Sequence, residues 1–279
     1  MIPRFSARVK KPLPLASRGT PKQQPAPPPG DSKAEATELL YGLRSGLAVF
    51  ERRRQDITQI SYASVQRAEL RELLGWASSS RVPASEESDK KLASLADSTQ
   101  HEGLVLRVRA RRWVAPKELA SWLVAEPRTA VALDRVRNPQ NIGATLRSAA
   151  FFGVEAAIIG APAPHPGLPP FAIRVAEGGA EHLSFARTTD LAETLSRLRA
   201  SGAHIIGTDA ESPTEMDDVP AQRSSVIVLG NEREGLSPRI RAQCHTLVAI
   251  RGSGAVQSLN VAVAAGVLFA ALARRRRAK

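Results

Sequence analysis

Two polar side chains stand in stretches that are otherwise apolar and predicted to be helical. Arg147 lies about two turns into the predicted helix of residues 142–152, whose other side chains are mostly small and apolar. A guanidinium there must face solvent or a polar site, because unpaired burial of a charge is costly. Asn260 lies in the first turn of a predicted helix, residues 258–273, that is apolar on nearly every side. Such a helix is buried, so the amide needs a dedicated partner, either a ligand or a backbone carbonyl.

Three polar segments each follow an apolar run that is predicted to be a strand. They span residues 134–143, 230–237 and 251–260, and open α/β sheets bind ligands at such places. None has the spacing of a G-x-G-x-x-G fingerprint or a Walker loop, so dinucleotide and NTP sites lack support. Taken singly, each segment also allows a structural interpretation, since Asn141 could cap a helix and Ser237 could precede one as an ordinary N-cap.

The elements that would position these segments follow from the alternation of apolar runs with amphipathic ones. The predicted strands are residues 129–133, 156–159, 204–207, 226–229 and 247–250. The predicted helices are residues 142–152, 191–200, 238–244 and 258–273. Strands that are apolar along their whole length indicate a mostly parallel sheet covered by helices on both faces.

The first half of the chain shows a smaller alternation. Leucines between residues 39 and 50 have helical spacing, residues 57–62 form a β-branched run, helices are predicted around residues 70–74 and 89–96, and a strand at 104–108. This pattern predicts a small α/β domain over residues 34–110. A linker with a short helix, residues 111–126, would join it to the larger domain.

The net charge of +12 is concentrated at the two ends of the chain. Residues 1–33 carry seven Lys and Arg against one acid, and residues 274–279 add five more basic side chains. The body between them is nearly neutral, with 27 basic and 26 acidic side chains. Proline-rich residues 1–33 are predicted to be a disordered arm, and residues 275–279 a basic tail. Such ends indicate salt-sensitive affinity for a nucleic-acid backbone, although basic tails also aid solubility.

Composition excludes several other classes of protein. A single cysteine, Cys244, rules out a disulfide framework and a cysteine-based metal cluster, and it fits a reducing cytoplasm. The five histidines lack H-E-x-x-H or comparable spacing, so we expect no bound metal. The longest apolar run, residues 261–273, is shorter than the ~18 residues of a membrane span. The basic N-terminal stretch lacks the apolar core of a secretory signal, and we expect a cytoplasmic protein.

The three polar segments, in this order and after successive strands, share a pattern. The first is Asn138-x-x-Asn141-Ile142-Gly143-x3-Arg147-x-Ala149-x2-Phe152-Gly153, the second Leu229-Gly230-Asn231-Glu232-x2-Gly235-Leu236-Ser237, and the third Gly254-x-Val256-x-Ser258-Leu259-Asn260-Val261. Together they resemble the three motifs of the SpoU/TrmH family of SPOUT RNA methyltransferases, over residues 126–275. Residues 37–108, with Tyr41-Gly42 and His101-Glu102-Gly103, resemble that family's N-terminal substrate-binding domain, and residues 175–183 resemble its YfiF-like tRNA/rRNA methyltransferase branch.

The resemblance implies an α/β fold with two domains. The C-terminal SPOUT domain, residues 127–274, would hold a parallel sheet and a deep trefoil knot, and the small N-terminal domain would be L30e-like and bind substrate RNA. True knots are rare exceptions to the usual rules of topology, so the knot is implied by the resemblance alone. The family further implies a homodimer that binds S-adenosylmethionine (SAM) and methylates the ribose 2′-hydroxyl of structured RNA, with rRNA favoured over tRNA.

Roles for individual residues also follow from the resemblance. The positions that would hold SAM are Leu229, Gly230, Asn231, Ile250, Ser258, Leu259 and Asn260. The positions implied in catalysis are Arg147, Asn141, Glu232, Ser258 and Asn260. Arg147 would contact an RNA phosphate and help to activate the hydroxyl. Because arginine is a poor base at its normal pKa, electrostatic positioning is favoured over proton abstraction.

The third motif departs from the family pattern. The family usually begins it with Ile-Pro-Met, whereas this chain has Ile250-Arg251-Gly252, and Ala262 stands where serine is common. Loss of the proline frees the φ angle at this position of the loop. Arg251 would place a charge beside the expected edge of the cofactor, or would provide a further contact for an RNA phosphate.

Two other functions are compatible with parts of this pattern. An RNA-binding protein with a degenerate knot and no efficient methyl transfer would bind RNA in a salt-sensitive way but would not bind SAM. A nucleotide-dependent oxidoreductase would bind NAD(P) more tightly than SAM, and the missing glycine fingerprint argues against it.

Overall fold

The computed structural model of this chain describes residues 36–160, 168–219, 224–231 and 233–277. The whole predicted basic arm, residues 1–33, lies outside the described residues. So do Glu232 and the last two residues of the predicted tail. Across the described ranges, no helix is both long enough and apolar enough to cross a membrane.

A small sheet of four strands is the first part of the chain that the structure describes. In spatial order its strands are β1 (Thr37–Tyr41), β4 (Leu104–Arg109), β2 (Ile57–Tyr62) and β3 (Ala84–Glu86). Its helices are α1 (Leu43–Arg53), α2 (Arg71–Ser79) and α3 (Asp89–Ala96). The strand β4 pairs antiparallel with β1 and β2, whereas β3 pairs parallel with β2. The predicted β2 run and the helix at residues 89–96 are therefore confirmed.

The helical interpretation of the first leucines is wrong for residues 37–41. These residues form β1, in which Leu40 pairs with Leu106 of β4. Gly42 follows with a positive φ of 102°, and α1 begins only at Leu43. The leucine spacing thus spans a strand and a helix. Residues 37–41 form a strand because they pair with β4, which is distant in sequence and cannot be identified from the local pattern.

A second sheet of seven parallel strands dominates the rest of the chain. Its spatial order is β11 (Thr246–Val248), β9 (His204–Thr208), β10 (Ser225–Leu229), β6 (Thr129–Asp134), β7 (Ala156–Gly160), β8 (Ser184–Thr188) and β5 (Trp113–Val114). The accompanying helices are α4 (Pro116–Ala125), α5 (Pro139–Phe151), α6 (Pro170–Val175), α7 (Leu191–Ala200), α8 (Pro238–Arg241) and α9 (Val261–Arg277). Every residue of β6 and β10 is buried, with an apolar core on each face of the sheet. The predicted parallel sheet is confirmed.

Several elements differ from the sequence prediction. The strand β8 and the helix α6 were not predicted, since β8 contains the exposed Arg187 and α6 is a short helix that begins at a proline. The predicted linker contains its short helix, α4, but it also contributes β5 to the sheet edge. The last helix begins at Val261 rather than at residue 258 and continues to Arg277.

A buried cluster of four charges, Glu38, Arg53, Arg111 and Glu181, joins the two sheets. Glu181 accepts from Arg53 Nε at 2.7 Å and from Arg111 Nη2 at 3.0 Å. Glu38 of β1 completes the cluster with an Oε1 atom 2.7 Å from Arg53 Nη2. The Glu181 side chain is only 4% exposed. Burial alone would raise the pKa of Glu181, but the charges and hydrogen bonds of Arg111 and Arg53 outweigh it and lower that pKa below its usual 4.5.

We expect Glu181→Gln to cost about 3 kcal/mol in the free energy of unfolding, because it removes the most buried carboxylate that neutralises the guanidiniums of Arg53 and Arg111. A lowered folded-state pKa stabilises the protein above the unfolded-state value of about 4.5, and that contribution is lost as the pH falls further. Urea unfolding of the variant should therefore show a weaker dependence on pH below 4.5. Glu118→Gln, which breaks the exposed pair with Arg112, is the control. Equal stability of Glu181→Gln and the unaltered protein would contradict this role.

Candidate functional site

The three polar segments meet at one edge of the large sheet. They follow the carboxyl ends of β6, β10 and β11, and these strands run parallel within the sheet. Leu133 and Leu229 are paired in register, so the first and second segments leave the sheet side by side. The prediction that the segments follow strands of a common sheet is confirmed.

The first and second segments are tied by direct hydrogen bonds. The Asp134 carboxylate, which is buried, accepts from the backbone N–H of Ser237 at 2.8 Å. Asn231 Nδ2 donates to the carbonyl of Arg135 at 3.2 Å, and Arg135 Nη2 donates to the carbonyl of Gly235 at 3.1 Å. These contacts fix the loop after β10 against the loop after β6.

The loop after β10 folds back on itself, which explains its glycines. Asn231 and Gly235 exchange backbone hydrogen bonds of 3.1 and 2.9 Å. A Cβ at Gly230 would lie 2.4 Å from the carbonyl carbon of Gly235, and Gly235 itself has a φ of 65°. Only residues without a side chain fit this close approach. The two glycines therefore let the loop close on itself at the end of β10.

Asn260 joins the third segment to the first. Its Nδ2 donates to Asn141 Oδ1 at 3.0 Å, while its Oδ1 accepts from the backbone N–H groups of Ala262 at 2.9 Å and Val263 at 3.4 Å. Asn260 is thus the N-cap of α9 and is exposed, so the expectation of a buried amide inside the helix is wrong. Within the chain its partners are the buried Asn141 and the start of α9, and a ligand as a further partner stays a prediction.

The loop that precedes Asn260 is exposed from residue 251 to residue 260 and includes Ser258. Val256 and Leu259 are 73% and 47% exposed, so apolar side chains face solvent beside this edge of the sheet. Ile250, before the loop, is partly buried against the core. Arg251 Nη2 donates to the carbonyl of Ser212 at 2.7 Å, so this unusual arginine anchors the start of the loop.

Arg147 lies on the exposed face of α5, away from the hydrogen bond between Asn141 and Asn260. One turn before Arg147, α5 packs so tightly on α6 that a Cβ at Gly143 would lie 2.4 Å from the carbonyl oxygen of Ala172. Arg147 Nη1 is 2.9 Å from Glu177 Oε1, and its side chain is 55% exposed. The expectation that this guanidinium faces solvent or a polar group is confirmed.

Glu177 was missed as a candidate by sequence reasoning. The one local signal is its backbone, which has a φ of 44° although it is not glycine. That angle is visible only in the folded chain. The sequence of residues 175–183 resembles that of a family branch, but it does not indicate the contact between Glu177 and Arg147.

A cavity of about 160 Å³ lies away from this edge of the sheet. It is lined by Thr129, at the opposite end of β6, and by side chains that include Phe152 and Phe269. Among the described residues, no three His, Cys, Asp or Glu side chains lie together as a set of metal ligands.

Two family models match the chain. The model described as "SpoU rRNA Methylase family" matches residues 128–270, and the one described as "RNA 2′-O ribose methyltransferase substrate binding" matches residues 39–114. The second match covers most of the small sheet and the first covers most of the large one.

Relatives with similar sequences come from mycobacteria. An uncharacterized tRNA/rRNA methyltransferase of Mycobacterium sp. (strain KMS) is 32% identical over 266 residues, which are 94% of this chain and 83% of the relative. One from Mycobacterium bovis (strain ATCC BAA-935 / AF2122/97) is 38% identical over 178 residues, 63% of this chain. The chain spans only 55% of the length of that second relative.

Solved structures share the fold. The SpoU methyltransferase AviRb from Streptomyces viridochromogenes, solved in complex with AdoMet, superposes with a TM-score of 0.72 at 24% identity, over 86% of this chain and 91% of that one. An AdoMet-bound rRNA methyltransferase from Sinorhizobium meliloti gives a TM-score of 0.71 at 22% identity, over 86% and 87% of the two chains. The predicted α/β fold class is confirmed, whereas the deep knot and the L30e-like character of the small domain stay predictions.

Replacing Asn260 separates its two hydrogen-bonding roles. Asn260→Ala removes the cap of α9 and the bond to Asn141, and we expect a loss of about 1 kcal/mol in the free energy of unfolding. Asn260→Asp keeps an oxygen that accepts from the helix start, so its loss should be less than half as large. Urea unfolding measures both values, and equal losses would show that the cap contributes little.

Proposed function

The chain belongs to the SpoU rRNA Methylase family, and we propose that it transfers a methyl group from SAM to a ribose 2′-hydroxyl of a structured RNA. The observation that carries this proposal is the junction of the three polar segments at one sheet edge, where the Asn141–Asn260 bond closes the arrangement. The substrate-binding family match over residues 39–114 supports RNA as the substrate. We favour rRNA over tRNA, and we place the reaction in the cytoplasm.

The residues after β10 and β11 suit SAM as a cofactor. Leu229 and Gly230 are buried at the end of β10, Ile250 is a partly buried apolar side chain, and Leu259 is an exposed apolar side chain on the loop after β11. We assign the adenosine and methionine parts of SAM to these positions together with Asn231, Ser258 and Asn260. When bound, SAM supplies a methyl group that its sulfonium already activates, so the protein has to provide binding and orientation.

Arg147 is the residue to which we assign the RNA side of the reaction. A ribose hydroxyl is a weak nucleophile, so the protein must hold it in line with the methyl group and favour loss of its proton. The planar guanidinium of Arg147 can donate two hydrogen bonds to a phosphate and place its positive charge near the hydroxyl. Its exposure on α5 permits this contact. We assign Asn141, Asn260 and Ser258 to shaping the site at this edge of the sheet, and Glu232 remains a proposed catalytic residue outside the described part of the chain.

The small domain, residues 34–110, and the basic ends of the chain are the proposed RNA-binding parts. The ends concentrate positive charge, which favours contact with the phosphate backbone without sequence preference. Specific recognition of a structured RNA would then depend on the small sheet and its loops.

A second copy of the chain is the proposed partner for the outer face of α5 and α9. These helices pack together, and a Cβ at Gly266 of α9 would lie 3.7 Å from Ser148 Oγ of α5. On the same side Phe151, Val263 and Val267 are 80%, 54% and 44% exposed. Adjacent exposed apolar side chains of this kind mark protein interfaces, and a self-complementary patch gives a symmetric dimer.

We expect light scattering to give twice the chain mass of 29.9 kDa for the unaltered protein. Val267→Glu should shift the mass to that of one chain, since it introduces a charge into the apolar face. Val65→Glu, at a 79% exposed position of the small domain, should leave the mass unchanged. A single-chain mass for the unaltered protein would contradict the dimer.

Calorimetry with SAM and its demethylated product tests the proposed activity. We expect both to bind, and we expect Arg147→Ala to bind SAM normally while losing methyl transfer by about 100-fold or more, as when a key electrostatic donor is removed. Arg147→Lys should retain part of the activity, because it keeps the charge without the planar fork. Unchanged turnover in Arg147→Ala would remove this residue from the mechanism. Salt-sensitive RNA binding without affinity for SAM would favour the RNA-binding alternative with a degenerate knot.

A further inference from the structure

A tight turn of residues 176–179 passes between helix α1 of the small sheet and helix α5 of the large one. A Cβ at Gly178 would lie 2.8 Å from Ala48 Cβ of α1, and a Cβ at Gly179 would lie 3.0 Å from Arg147 Cα of α5. Gly178 also has a φ of 87°. The two glycines allow the turn to touch both helices, which places the residue before them, Glu177, at the junction of the two sheets.

Two arginines converge on the Glu177 carboxylate. Arg147 Nη1 of α5 is 2.9 Å from Oε1, and Arg44 Nη1 of α1 is 3.6 Å from Oε2. One guanidinium comes from each side of the junction. The carboxylate thus marks a position at which an anionic group with two oxygens can bind both guanidiniums at once.

The three side chains are accessible to a large ligand. Arg44 is 74% exposed, Arg147 is 55% exposed and Glu177 is 33% exposed. Exposed ion pairs are weak in water, so another anion can replace the carboxylate at little cost. The buried Glu181, by contrast, is 4% exposed and serves the folded structure.

Stability alone does not account for a glutamate at position 177. Its φ of 44° lies in the left-handed region, which is unfavourable for residues with a Cβ. That cost exceeds what an exposed ion pair returns. A glycine would suit the backbone better, so the exposed ion pairs of the carboxylate do not by themselves offset the strain at this position.

We propose that Arg44 and Arg147 form a two-arginine clamp for one phosphodiester of the substrate RNA, and that Glu177 holds both guanidiniums in place until the RNA displaces it. The proposal rests on the proposed function in so far as Arg147 contacts RNA. Two guanidiniums can donate to separate oxygens of one phosphate, which fixes its position more tightly than a single contact does. The clamp would connect RNA bound by the small domain with the reacting ribose.

RNA binding over a range of salt concentrations tests the clamp. The probe is 16S and 23S rRNA transcribed in vitro, which carries no modifications. Arg44→Ala should lower the slope of log affinity against log salt by about 0.7–0.9, the value for one phosphate contact. Glu177→Gln should tighten binding up to about 5-fold at low salt, because no carboxylate has to be displaced.

A double-mutant cycle separates this effect from a general change of charge. The gain from Glu177→Gln should be smaller in the Arg44→Ala background, since only the pair between Glu177 and Arg147 then remains to be displaced. Glu51→Gln, an equal change of charge at an exposed position of α1, should give a smaller gain that persists in that background. Equal and additive effects of the two glutamine variants, or an unchanged salt slope in Arg44→Ala, would overturn the proposal.

Two further measurements separate the clamp from a structural role of Glu177 and from the proposed activity. Glu177→Gly should unfold at a temperature no lower than that of the unaltered protein, whereas a structural role for the carboxylate requires a clear decrease. Methyl transfer by the unaltered protein is measured on the same rRNA. Its absence would argue against the proposed function, while the RNA-binding cycle would still decide the clamp.

Discussion

The parallel pairing of the large sheet is the constraint from which the candidate site follows. Strands that run in one direction bring all of their carboxyl ends to one edge. The strands β6, β10 and β11 therefore deliver three polar segments, which are far apart in sequence, to the same place. Burial of β6 and β10 on both faces leaves that edge as the point at which these strands meet solvent. The chemistry of the site lies in the loops, and the sheet holds them together.

Two groups of charges at the junction of the sheets have different tasks. The buried cluster around Glu181 satisfies its charges internally, and loss of one partner would leave others unpaired in a desolvated place. The exposed group around Glu177 is centred four residues earlier in the chain and is open to solvent. Solvent exposure accounts for the different roles of the two groups. An Arg–Glu pair stabilises the fold when it is desolvated, and its carboxylate can be exchanged for another anion when it is hydrated. The small sheet is thus fixed to the large one while the clamp remains accessible.

Much of this arrangement could be predicted from the sequence. Long apolar runs such as residues 226–229 identified the parallel sheet, and the three polar segments identified the edge where they converge. The strand at residues 37–41 could not be predicted, because its leucines continue the spacing of the following helix and its partner β4 is distant in sequence. The sequence places Asn260 in the first turn of a helix that it instead caps. The pairing of Arg147 with Glu177 depends on a turn whose path is set by packing between two helices.

The position of the transferred methyl group tests the central claim most directly. SAM labelled in its methyl group would be incubated with the protein and unmodified rRNA, and the RNA would then be hydrolysed with alkali. Alkaline cleavage requires attack by a free 2′-hydroxyl, so methylation there leaves the adjacent phosphodiester intact. Our account predicts that the label appears in alkali-resistant dinucleotides and that Arg147→Ala abolishes it. Label in mononucleotides would show methylation of a base and would contradict the account.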